Sequence, residues 1–260
     1  MLALTPENYY SREADREYWS ASQVKSFLSC PAMAMAELRG DYVRPLSTAL
    51  LVGSFVDAYF EGTLPDFTER HPEIFNKRTG VLKAEYMKAL EMVDRAKQDE
   101  LFLAYMDGEK QKIVTGEIGG LPFKGKFDVY RAGERIVDLK TVKDLQPMYK
   151  PGEGRLSFAD YWNWPLQMAI YQALEGNRLP CYLAVITKED PPDIALVEIE
   201  QEKLDAELDY LLEKLPYFDA VKQGVIEPER CENCAWCRMS RKLTAPRHLE
   251  SFVEIGGNLE

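Results

Sequence analysis

The sequence predicts an α/β fold, a central mixed sheet flanked by helices, and three observations predict it. Residues 126–140 alternate apolar and polar side chains on both sides of a glycine-containing break, the pattern of a strand hairpin. Segments of helical period stand before and after it, at 48–61, 81–107, 165–175 and 202–224. Two further apolar runs, Cys181–Thr187 and Ile194–Ile199, read as strands that complete the sheet. With 260 residues, 46% of them hydrophobic, the chain can bury one full core. The expected organisation is a polar lead-in over 1–19, a single domain over 20–243 that includes a cysteine segment at 231–237, and a tail over 244–260. No internal repeat is visible.

The hairpin carries the chemistry. If Ala132-Gly133-Glu134 is a three-residue loop, Arg131 faces Arg135 and Asp128 falls opposite Asp138. Period 2 then sets Asp138 and Lys140 on one side of the second strand, and Val137 and Leu139 on the other with Phe127 and Val129. Like charges facing each other across a strand pair destabilise it, and a shared divalent cation is one remedy. Lys140 beside the pair can orient an attacking water or neutralise charge on a phosphate. The same residues also suit a hairpin whose charges simply face water.

Taken in order, Ser20 or Ser22 is an N-cap for a helix whose buried stripe is Val24, Phe27 and Leu28, ending at Cys30-Pro31. The helix at 48–61 surrounds Asp57 with apolar residues. The stretch 66–80 is charged and turn-rich, a mobile or gating loop, and 81–107 reads as one long helix. A strand at 112–118 turns at Gly119-Gly120 into the hairpin; its Glu117 stays outside the core site. From Thr141 to Tyr161 a basic, polar connection with Lys143, Lys150 and Arg155 leads to Trp162 and Trp164. Basic residues interleaved with aromatics suit contacts with backbone phosphates and unpaired bases, and equally suit a lid packed on the core. Gln167 and Tyr171 lie one turn apart on the next helix. A turn at Asp190-Pro191-Pro192-Asp193 joins the last two strands, and the closing helix contains Pro216, a site for a kink.

Asp128 followed by Asp138-Leu139-Lys140 resembles the signature of the PD-(D/E)XK nuclease superfamily, with Phe127 where the pattern has Pro. Gln167-Met168-Ala169-Ile170-Tyr171 resembles the Q-x-x-x-Y helix of its RecB and lambda-exonuclease branch, and Ser22–Pro31 resembles that branch's opening helix. The likeness spans roughly 20–243 and is best to RecE-like (exodeoxyribonuclease VIII-type) enzymes of phages and prophages. It implies a restriction-endonuclease-like core. It also implies one or two Mg²⁺ (or Mn²⁺) held by Asp57, Asp128, Asp138 and the Leu139 carbonyl. Asp57 stands where RecB-type relatives have a His four residues after a Gly, here Gly53. Lys140 would position the attacking water, while Gln167 and Tyr171 would orient the strand.

Cys231, Cys234 and Cys237 put three thiols into seven residues of a chain whose other features suit the cytoplasm, where disulfides are rare. Three such thiols want a metal and a fourth ligand. In some relatives, AddB and certain CRISPR-adaptation nucleases, one Cys before the core and three after it hold a [4Fe-4S] cluster. That likeness makes Cys30 the fourth ligand, with Zn²⁺ or a merely buried Cys30 as alternatives. Cys181 is core.

The implied function is Mg²⁺-dependent hydrolysis of DNA phosphodiesters, resecting one strand from duplex ends for an annealing protein in phage-type recombination. Such enzymes are often ring-shaped homo-oligomers. A related endonuclease of restriction or CRISPR-associated type shares the motifs, and a catalytically silent DNA- or protein-binding module shares the fold. The net charge of −11 opposes strong non-specific duplex binding and leaves the phosphate work to metal ions and a local basic groove. No apolar run of membrane length and no leader at Met1 are present, so the expectation is a cytoplasmic protein without membrane contact.

Overall fold

In the computed structural model, residues 2–246 and 248–249 are described; most of the tail expected at 244–260 lies outside them. Helices α1 (Arg12–Glu17), α2 (Ala21–Ser29), α3 (Pro31–Arg39), α4 (Thr48–Glu61), α5 (Leu64–Arg70), α6 (Ala84–Lys97) and α7 (Glu100–Tyr105) precede the sheet. Strands β1 (Glu109–Ile118), β2 (Leu121–Arg131) and β3 (Arg135–Val142) form an antiparallel meander. A small ribbon of β4 (Met148–Lys150) and β5 (Gly154–Leu156), then α8 (Phe158–Tyr161) and α9 (Trp164–Glu175), cross to β6 (Cys181–Thr187). β6 lies parallel to β3, as a helical crossover requires, and β7 (Ile194–Ile199) returns antiparallel. The five-stranded order is β1-β2-β3-β6-β7, and α10 (Gln201–Lys222) and α11 (Ala235–Met239) close the chain. This is the mixed sheet flanked by helices that the sequence predicts.

Helices cover both faces. α2, α3, α9 and α10 pack on one, in a core that includes Trp19, Phe27, Phe123, Phe127, Met168 and Leu211. α4 to α7 cover the other, around Phe55, Met92, Phe102, Val129, Val137 and Leu139. The reading of a hairpin whose charges simply face water is therefore corrected, because the central strand β3 is buried on both sides. Phe127 also sits in the opposite cluster from Val129, Val137 and Leu139. The β1–β2 ladder is interrupted at Asp128, where β1 carries Gln111 with a left-handed φ of 54°.

Other elements differ from the sequence reading for local reasons. The long helix expected over 81–107 is two, because Asp99 turns its side chain to cap the Phe102 N–H at 2.8 Å and starts α7. The loop expected at 66–80 holds most of α5 and a 3₁₀ turn at Pro72–Ile74, anchored by buried Phe67 and Ile74. α10 runs through Pro216 without interruption.

Residues 2–19 are held firmly on the sheet. Lys124 of β2 is 1% exposed, and its ammonium pairs with Asp15 Oδ1 at 2.7 Å, donates to the Tyr9 carbonyl and lies 4.6 Å from the Tyr9 ring centroid. The Trp19 N–H donates to Pro122 O and the Lys124 N–H to Trp19 O, each at 2.8 Å, along the β2 edge that β3 does not cover. A buried ammonium is tolerable only when paired and hydrogen-bonded, so this segment and Lys124 require each other. Asp15→Ala should destabilise the fold by about 2–3 kcal/mol, the lower end for a broken buried pair because Asp15 is partly exposed. Urea unfolding measures it; a loss below about 1 kcal/mol would show that the pair is not structural.

Candidate active site

The site lies where β2 and β3 part. Their pairing consists of Arg131–Arg135, Tyr130–Ile136 and Val129–Val137, closed by the three-residue turn in which Gly133 takes a left-handed φ of 72°. Beyond Val129 the strands separate, and Asp128 turns its carboxylate to the neighbouring strand: Oδ2 accepts the Leu139 N–H at 2.9 Å. Oδ1 accepts from Gln111 Nε2 of β1 at 3.2 Å.

Asp138 points toward α9 and is 2% exposed. Its Oδ1 accepts from Gln167 Nε2 at 2.8 Å; Oδ2 is ion-paired with Lys140 and lacks a well-directed hydrogen bond. Gln167 also contacts the Tyr171 hydroxyl at 3.2 Å, and its Oε1 accepts from Lys25 Nζ of α2 at 2.8 Å. Tyr171 packs against Phe127, ring centroids 4.7 Å apart, and the Lys140 ammonium lies 5.6 Å from the Trp164 ring. Asp57 arrives from α4 because Gly53, one turn earlier, lets that helix approach β3: a Cβ there would stand 3.2 Å from Thr141 Oγ1. Asp57, Glu61, Lys110, Gln111, Asp128 and Leu139 line one small cavity.

Electrostatics mark the same place. Desolvation, then the charges of Asp138 and Asp57, hold the Asp128 carboxyl far above its ordinary range. Desolvation likewise pushes Asp57 up to about 7, against the pull of Lys140. For Lys140, burial would lower the pKa, but Asp138 and Asp128 outweigh it and the amine stays charged. Lys25 is driven down to about 7 by burial and by Lys140. Crowded carboxylates beside a buried oxygen that lacks a hydrogen bond form a hard-oxygen donor set, which fits Mg²⁺ or Mn²⁺.

Two of these residues had no place in the sequence reading. Lys25 stands on the polar side of the Val24-Phe27-Leu28 stripe, a legible clue that it faces the cleft. Gln111 gave no signal, since only the β1–β2 register sets it between Lys110–Val129 and Lys112–Phe127, across from Asp128. That register carries Glu117 to Pro122, near the turn. Beside Lys140 opens a groove of about 1070 Å³ that Lys25, Lys143, Lys188, Trp162 and Trp164 help to line.

The cysteines converge at the far end of α2. Cys30 both ends α2 and begins α3, and it meets Cys231, Cys234 and Cys237 with all four sulfurs within 4.8 Å of one another. Cys30 and Cys237 are 3.6 Å apart and Cys231 and Cys237 4.0 Å. Backbone N–H groups of Cys234 and Cys237 donate to the sulfurs of Cys231 and Cys234. Despite some desolvation, backbone donors bring the Cys231 thiol down to about 7. Cys181 is separately buried, its thiol pushed up to about 12 chiefly by desolvation.

This sheet, with an Asp and an Asp-x-Lys at the parting of its central hairpin, defines a member of the PD-(D/E)XK nuclease superfamily. The chain belongs to the family described as a PDDEXK-like domain of unknown function (DUF3799), which matches residues 20–240. It is similar to a crystal structure from Eubacterium rectale designated "Putative exonuclease". The two share 40% identity over 97% of this chain and 98% of that one, with a TM-score of 0.93. SSO0001 aligns over 74% of this chain and 84% of its own at 15% identity, with a TM-score of 0.28. No curated protein sequence matches the chain.

Because Asp57 is protonated up to about pH 7 in the fold but only to about 4 when unfolded, its contribution to stability is present at low pH. It is lost as pH rises through about 7 in metal-free protein. Asp57→Asn should flatten that slope, raise the metal-free melting temperature at pH 8 and reduce stabilisation by Mg²⁺. Thermal melts in EDTA and in Mg²⁺ across this range test it, and a lower metal-free melting temperature for the variant would contradict it.

Proposed function

We propose that the chain is a divalent-metal-dependent deoxyribonuclease that degrades one strand from DNA ends, as RecE-like enzymes do. The observation that carries this reading is the convergence of Asp128, Asp138 and Lys140 at the splayed strands, with Gln167 clamped between Asp138 and Lys25. The designation of the Eubacterium rectale protein supports the exonuclease form.

Asp57, Asp128 and Asp138, with the Leu139 carbonyl, would hold the cation. When bound, Mg²⁺ supplies Lewis acidity toward the scissile phosphate and acidifies water. Lys140, kept charged by the carboxylates, orients the attacking water and offsets charge developing on the phosphate. Gln167 fixes the rotamer of Asp138, Tyr171 steadies Gln167, and Lys25 holds Gln167 from its other side by donating to Oε1. The groove with Lys143, Lys188 and Trp162 gives an acidic protein a local path for the strand. The single strand left behind is what an annealing partner would take up.

At the cysteines we propose a single Zn²⁺. A tetrahedral ion with bonds of about 2.3 Å needs sulfurs roughly 3.8 Å apart, and the Cys30–Cys237 and Cys231–Cys237 separations bracket that value. A [4Fe-4S] cubane, the cluster expected from the sequence, needs them spread to roughly 6 Å. The ion would tie the α2–α3 junction to α11. Purified protein should contain one zinc per chain without visible iron–sulfur absorption, and Cys234→Ser should lose the metal and melt earlier. A stoichiometric iron–sulfur spectrum would reverse the assignment.

With Mg²⁺, linear duplex DNA should be degraded and closed-circular duplex spared. Lys140→Ala should lower the rate roughly 10²- to 10³-fold. Nicking of the circle would establish the endonuclease alternative. Inertness of folded, metal-loaded protein toward both substrates would leave the binding-module alternative.

A further inference from the structure

The family match begins at residue 20, yet the segment before it packs on β2 close to Asp128, where Lys126 meets it. Lys124, Asp15 and the Trp19 backbone fix that segment against β2. Tyr9 is thereby buried, 6% exposed, while its neighbour Tyr10 is 72% exposed. Their rings meet edge to face with centroids 4.9 Å apart, so Tyr9 braces Tyr10 from one side. From the other element comes Lys126, two residues before Asp128 on β2, its ammonium 5.0 Å from the Tyr10 ring centroid. The Lys126 ammonium also lies 6.0 Å from the Tyr9 ring centroid, so both rings of the segment meet β2 two residues from Asp128. Desolvation, then the charges of Asp128, Glu61 and Asp57, hold the Tyr10 proton to about pH 12.

An exposed aromatic ring on a rigid base, beside a lysine and a carboxylate site, has a definite use in phosphodiester chemistry. Ring faces attract bases of any identity, and a lysine alongside meets the phosphate of the same nucleotide. Bases inside a duplex have both faces covered by their neighbours, so only an unpaired or frayed base can stack on a single ring. We propose that Tyr10 stacks on an unpaired base flanking the bond that is cut, while Lys126 contacts the adjoining phosphate, so that residues 2–19 form one wall of the substrate site. The proposal rests on the nuclease reading above and adds to it a preference for unpaired nucleotides at the cleft mouth.

The test uses the full chain carrying Lys140→Ala, with Mg²⁺ and an oligonucleotide duplex bearing an unpaired terminal 2-aminopurine. Binding should quench the fluorophore. Adding Tyr10→Ala should abolish the quenching and weaken binding about tenfold, whereas Tyr10→Phe should retain both. In the otherwise wild-type enzyme, Tyr10→Ala should raise KM by a similar factor with kcat within about twofold. The melting temperature should hold, because the ring is largely in solvent. Unchanged quenching and KM in Tyr10→Ala, in an enzyme that cleaves DNA, would overturn this proposal alone. If the wild-type chain neither cleaves nor binds DNA, the nuclease reading fails first and this one falls with it.

Discussion

The parting of β2 from β3 after three residue pairs is the constraint on which the rest of the molecule depends. Two central strands that stop pairing leave backbone donors and acceptors that must be satisfied where water is scarce. Here one side of the gap is answered by a side chain, Asp128 accepting the Leu139 N–H, and the free edge further along β2 is answered by Trp19. The first answer brings a carboxylate to the centre of the sheet. The second brings the N-terminal residues onto it.

That arrangement carries an electrostatic cost in the metal-free state. Asp57, Asp128 and Asp138 are gathered from α4, β2 and β3 into a poorly solvated space, and the pKa values of Asp57 and Asp128 rise accordingly. Lys140 offsets part of the repulsion, and desolvation still leaves Asp57 and Asp128 raised. Beside them, hydrogen bonds run from Lys25 through Gln167 to Asp138 Oδ1, which holds that carboxylate in one orientation.

Much of this was legible in the sequence where local pattern governs. The three-residue turn at 132–134 follows from the alternation on either side, and Arg131 does face Arg135. The parallel partnership of β3 and β6 follows from a helix placed between them. What the pattern could not reveal was tertiary. The burial of Asp138 depends on α9 lying over it, and that of Lys124, which no local pattern marks, on residues 2–19. Gln111 enters only through register, and the break between α6 and α7 turns on one Asp99 cap. The grouping of Cys30 with the distant cysteines came from family likeness, not from spacing.

Cys30 emerges from the ribosome 207 residues before Cys237, and the two sulfurs end in contact. Completion of the thiol site therefore waits for nearly the whole described chain. During synthesis the junction of α2 and α3 has no closing partner, and α2 carries Lys25, the residue that holds Gln167 in place. A chain interrupted before residue 231 would contain the entire acidic hairpin and still lack the clasp that fixes the helix beside it. The order of translation thus places the acidic hairpin ahead of the cysteines that meet the α2–α3 junction.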